Sequence, residues 1–218
     1  MNRAALKRTG SRSGRIGLLT IFLTASAALA VSAAANGMKS GWTQDDIAAL
    51  FPAPLEGWKA EGAAVEERDT ITSGFESFAL APLAETAAVG VTVRLRVTQA
   101  YRSGDRAIAI TIDTEDIETA AMVDAVDAVA SAEGSGPEEL VALGEELLAA
   151  GVSPISHGGH PGVSAEADGE AGRAFKIGSA GAVSLECAYP DCGGDLDAMI
   201  EDLDFSAIAE FAAFDHRR

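Results

Sequence analysis

Residues 89–114 read VGVTVRLRVTQAYRSGDRAIAITIDT, and the alternation within them decides the fold. Val91, Val93, Leu95 and Val97 alternate with Thr92, Arg94, Arg96 and Thr98, the period of a half-buried strand. After the Gly-Asp turn in YRSGDR, the period returns through Ile108, Ile110 and Ile112. The pair therefore reads as an antiparallel hairpin.

Toward the C-terminus the period changes. Thr114 is expected to cap a helix whose apolar stripe is Ile117, Ala121, Met122, Val126 and Val129, with Glu115, Asp116, Glu118, Asp124 and Asp127 in water. GSGP breaks it, and Pro137 opens a second helix. Glu138 and Glu139 suit its positive end, Leu140, Leu143 and Leu147 form its buried face, and Gly151 closes it. Neither helix carries Lys or Arg. Short strands follow near 152–157, 161–168, 172–178 and 181–188, and GGDLDAMIEDLDFSAIAEFAAF ends in one or two amphipathic helices with Asp195 and Ser206 as caps. Toward the N-terminus, Thr43 caps a short helix that Pro52 and Pro54 stop, and strands are expected near 57–66 and 71–80. This order predicts an α+β fold: a largely antiparallel sheet packed with two central acidic helices and C-terminal helices.

Residues 1–15 hold Arg3, Lys7, Arg8, Arg12 and Arg15 and no acid, and IGLLTIFLTASAALAVSAAA follows with A-x-A sites at Ala28–Ala30 and Ala33–Ala35. A basic start, an apolar stretch and a small-residue exit describe a secretory signal peptide over 1–35. Read otherwise, residues 16–35 are just long enough for an N-terminal anchor. Either way, 36–218 is expected to be a single exported domain in the periplasm or outside the cell.

The chain has 16 Lys and Arg against 33 Asp and Glu, and all the acids lie beyond the leader. With five of the basic residues in the leader, the remainder carries 11 basic and 33 acidic side chains, a net charge of −22. So acidic a surface is repelled by phosphate backbones and anionic headgroups, which argues against nucleic-acid binding and against membrane association of the mature domain.

FPAPLEGWKAE, YRSGDRAIAITIDT, ISHGGHPG and MIEDLDFSAI follow in an order and spacing that resembles a group of small, uncharacterised, exported proteobacterial α+β proteins. The resemblance covers most of 43–212. It implies an envelope location and a sheet-plus-helices fold, and carries no activity to transfer.

Three groups of residues are candidates for chemistry. In SHGGHPG, Gly158-Gly159 is a two-residue hairpin signal that sets His157 opposite His160, and Pro154 and Pro161 both fit that register. The two imidazoles could share Zn²⁺ or Cu²⁺, but a structural site wants four ligands and a catalytic one three. Cys187 and Cys192 would complete a set, yet a meander of these strands puts them roughly 20 Å from the histidines. As the only two cysteines of an exported chain, Cys187 and Cys192 are instead expected to form a disulfide. Arg94 and Arg96 share one strand face and could bind an anion, or pair with the acidic helices.

No nucleophile elbow, H-E-x-x-H, phosphate-cradling glycine loop or calcium loop is present in the sequence. The reading is therefore a non-enzymatic binder of a small ligand or an envelope protein, with no cofactor. The alternatives are a metal-binding protein using His157 and His160, or a hydrolase with a dispersed site. The hydrolase expects an acid of raised pKa in a deep pocket.

Overall fold

The computed structural model describes residues 43–72, 90–131 and 136–213. The leader and the residues expected as strand beyond Thr72 lie outside this range. A first short helix, α1 (Gln44–Ala48), leads into strands β1 (Lys59–Thr72), β2 (Gly90–Ser103) and β3 (Arg106–Asp113). Helices α2 (Ile117–Ala130) and α3 (Glu138–Ala149) follow, then strands β4 (Ser153–His157), β5 (His160–Ala167), β6 (Glu170–Ile177) and β7 (Gly181–Cys187). Helices α4 (Gly193–Glu201) and α5 (Phe205–Ala213) complete the order.

The strands form one seven-stranded sheet in the order β1-β2-β3-β7-β6-β5-β4, and every neighbouring pair is antiparallel. The fold is α+β, as the alternating patterns require. β7 returns from the second meander to lie beside β3, so two local units join along one central ladder, with Ile112 opposite Val183 and Ile110 opposite Leu185.

One face of the sheet carries the main core. Leu95, Val97, Ile110, Ile112, Phe175 and Leu185 are all buried there, beneath Leu196 and Met199 of α4 and Phe205 and Ile208 of α5. The opposite face is divided. Over β4–β7, α2 and α3 bury Val163 and Ala174 beneath Met122, Val126 and Leu147. Over β2 and β3, the same face presents Arg94, Arg96, Thr98, Thr111 and Asp113.

Strand-to-helix ion pairs fasten the layers. Lys176 on β6 bonds both carboxylate oxygens of Asp124 on α2, at 2.7 and 2.6 Å. Arg173, on the other face, donates to Asp197 of α4 at 3.0 Å and to Glu166 at 2.6 Å. At the end of the sheet, the Arg106 guanidinium lies 5.0 Å from the Trp58 ring centroid and 5.7 Å from that of Tyr189, whose hydroxyl donates to Asp195 at 2.6 Å. The buried Tyr101 hydroxyl donates to the Pro52 carbonyl at 2.8 Å, tying the N-terminal loop to β2.

Three local expectations need correction. The strands expected over 57–66 and 71–80 are a single strand through Thr72, within the described residues. The backbone pairs with β2 on both sides of the expected gap, with Glu66 opposite Arg96 and Thr70 opposite Thr92. The α2 cap is Asp116, not Thr114, because the Thr114 hydroxyl accepts from the Leu95 N–H and closes the β2–β3 ladder. The α5 start is held by Asp204, which accepts from the N–H groups of Ser206 and Ala207 at 3.0 Å, while Asp195 lies inside the first turn of α4.

Candidate functional site

Asp113 is the last residue of β3, and alternation sends its side chain to the face opposite the isoleucines. The hairpin turn sets what it meets. Gly104 adopts φ +62°, Ser103 pairs with Arg106, and the register then places Arg96 directly across from Asp113. Arg94 donates through Nε and Nη2 to the two Asp113 oxygens, at 2.8 and 2.5 Å, and Arg96 donates through Nε at 2.8 Å. The Glu115 N–H adds a fourth bond at 3.0 Å.

Asp113 is only 2% exposed. Burial pushes its carboxyl pKa upward, but the bonds from Arg94, the Glu115 backbone and Arg96 outweigh this and hold it below the usual carboxylate range. The same contact raises the Arg94 pKa, against its own desolvation. One carboxylate thus anchors two guanidiniums and the chain entering α2.

A cleft of about 420 Å³ opens between these arginines and the start of α2. Arg94 and Arg96 line one side; Glu115, Asp116, Ile117 and Glu118 line the other. Asp116 spends both oxygens on Thr119, accepting from its N–H at 3.0 Å and its hydroxyl at 2.9 Å. Glu115 Oε2 is shut from water and has no hydrogen-bond partner. Ile117, expected in the apolar stripe of α2, is instead 63% exposed at the cleft, because the helix faces the sheet through Ala120, Val123 and Val126.

Glu186 on β7 opposes Ala109 and Gly172, which offer it no polar side chain. Burial pushes its carboxyl up to about 7, moderated by the charge of Arg96, and its Oε2 has no hydrogen-bond partner.

His157 and His160 are cross-strand partners at the tip of β4–β5, where Gly158 and Gly159 take φ +57° and +81°. Both rings lie on the core side against Phe205, with centroids 5.4 and 5.2 Å from it, and His157 Nδ1 is 3.8 Å from Glu201. Among the described residues, no three His, Cys, Asp or Glu side chains gather closely enough to hold a metal ion. Cys187 and Cys192 form a disulfide with Cα atoms 6.2 Å apart, at the other end of β7 from the histidine hairpin.

The structure therefore joins Arg94 and Arg96 in one cleft and sets the histidines and cysteines apart from it. Glu115 and Ile117 line the cleft and Asp113 anchors its two arginines, although the sequence patterns single out none of the three as a site residue. The turn register in the sequence is sufficient to find Asp113; the other two depend on where α2 begins. Comparisons with protein-family models, with curated proteins and with solved structures return no match, so function must be argued from this geometry.

Proposed function

We propose that this chain is an exported, acidic, non-enzymatic binding domain that takes a small ligand or a segment of an envelope protein in the cleft between β2 and α2. The observation that supports this reading is the composition of that cleft. Two guanidiniums, an exposed isoleucine and the side chains of Glu115, Asp116 and Glu118 line one cleft. A volume of about 420 Å³ falls in the range of small-molecule sites. The metal reading has two imidazoles, and among the described residues no group of three His, Cys, Asp or Glu side chains could hold an ion. The hydrolase reading looks for an acid of raised pKa in a pocket; Glu186 has that pKa but does not line the cleft.

A library of small solutes screened by amide chemical-shift perturbation tests the proposal. Hits are expected to shift the amides of Arg94, Arg96 and Glu115–Glu118 together. Hits that move only residues elsewhere would place the site off this cleft.

A further inference from the structure

We infer that the wedge formed by Trp58, Tyr189 and Asp195 is a second recognition site, which takes an arginine side chain from another polypeptide and which Arg106 fills in the free protein. Arg106 begins β3 and Asp113 ends it, so this site lies at the other end of the strand from the β2–α2 cleft and does not rest on that reading.

Three separate elements build the walls. Trp58 is set just before β1 by a bond from its N–H to the Leu55 carbonyl at 2.9 Å. Tyr189 stands in the loop closed by the Cys187–Cys192 bridge, and Asp195 in the first turn of α4. The ring centroids are 6.0 Å apart with planes inclined at 41°, and the Tyr189 hydroxyl donates to Asp195 Oδ2 at 2.6 Å. None of these contacts passes through Arg106, so the walls do not depend on it. Two rings and a carboxylate are surroundings that suit a guanidinium, whose plane lies against the rings while its N–H groups reach the acid.

The present occupant is held loosely. The Arg106 guanidinium lies over both rings, 5.0 and 5.7 Å from their centroids, but Nη1 is 3.7 Å from Asp195 Oδ2, too far for a hydrogen bond. By contrast, Arg94, Arg96, Arg102, Arg173 and Lys176 each close on a carboxylate to 2.5–2.8 Å. The Arg106 bond to Ser103 Oγ, 3.2 Å from Nη2, is itself exposed, and the side chain is 49% open to water.

Arg106 joins the ladder through its backbone, opposite Ser103, so its side chain can turn outward about its own bonds without disturbing the sheet. An arginine arriving from another chain is free of the turn that tethers Arg106 and can approach Asp195 to hydrogen-bond distance. A lysine ammonium would find the acid but has no plane to lay against the rings. The chain's net charge of −17 steers cationic side chains toward it.

The probes are Nα-acetyl-arginine amide, its lysine counterpart, and its citrulline counterpart, which keeps the arginine shape without the charge. Each is titrated into the wild type and into Arg106→Ala while the Trp58 indole N–H is followed by nuclear magnetic resonance. Arg106→Ala is expected to bind the arginine probe at millimolar concentration, about tenfold more tightly than the lysine or citrulline probe. The wild type should bind it about tenfold more weakly than the variant, because Arg106 competes from within the chain, and its Arg106 Nε–H resonance should move together with Trp58. Adding Asp195→Asn to Arg106→Ala should remove the preference for arginine over citrulline. The inference is overturned by a folded Arg106→Ala whose Trp58 resonance stays still, or by equal binding of the lysine or citrulline probe. It is equally overturned by a wild type in which neither resonance moves at concentrations well above those that saturate the variant. If Arg106→Ala does not fold, the wild-type titration decides by the same two resonances. The cleft is read on the amides of Arg94, Arg96 and Glu115–Glu118, so failure here leaves that reading standing.

Discussion

Asp113 and Glu186 lie on the same face of the sheet, yet burial acts on them with opposite results. Asp113 has three donors beyond its own backbone and stays ionised; its contribution to stability is present above the unfolded carboxylate range and is lost only as acid reaches its depressed folded pKa. Glu186 Oε2 has no donor among the described residues, and burial raises the carboxyl to about 7. Its protonated form is favoured in the fold, so its contribution is complete below the unfolded pKa of about 4.3 and is lost as pH rises through about 7. Urea unfolding should therefore show the wild type losing on the order of 1–3 kcal/mol between about pH 5 and pH 8, a loss that Glu186→Gln removes. An equal difference between variant and wild type at both pH values would remove Glu186 as the cause. The two residues also differ in how visible they are in the sequence. Counting back from the Gly-Asp turn puts Arg96 opposite Asp113. Glu186 acquires apolar neighbours only because β7 inserts between β3 and β6.

At the scale of elements, the two acidic helices are held together by a backbone contact. A Cβ on Gly144 of α3 would lie 2.1 Å from the Ala125 carbonyl oxygen of α2. Gly144→Ala gains roughly 1 kcal/mol of helix propensity but forces the helices apart, and overpacking of this kind costs about 1–3 kcal/mol or more. Backbone cannot retreat as a side chain can, so the clash wins. The variant should unfold at lower denaturant concentration with near-native far-ultraviolet circular dichroism; a higher midpoint would show that α3 shifts freely. In sequence, Gly144 is merely a glycine within a helical period. The histidine hairpin is the reverse case: Gly158-Gly159 announces the turn and the His157–His160 pairing, but not that both rings pack on Phe205 some forty-five residues later. α5 brings that phenylalanine, and no local pattern predicts where a terminal helix will dock.

For the whole molecule, the Cys187–Cys192 bridge fixes the passage from β7 to α4, where the chain leaves the sheet and turns back over the main core. Both sulfurs lie in buried residues, so the crosslink is part of that core. Replacing both cysteines by alanine should lower the unfolding free energy by about 2 kcal/mol, the loop-closure term for so short a loop. Calorimetry of the protein with and without the bridge measures this, and an unchanged midpoint would mean that α4 is held by packing alone. By itself the sequence determined most of the elements, the register of the His157–His160 hairpin and the α+β class, because those follow from periodicities of two and 3.6 and from turn residues acting over a few positions. Tertiary structure decided that β7 would lie against β3, that α2 and α3 would cover only half of one face, and hence that a cleft would open beside Arg96. Those outcomes depend on which buried surfaces meet, and residues far apart in the chain must be brought together before such surfaces exist.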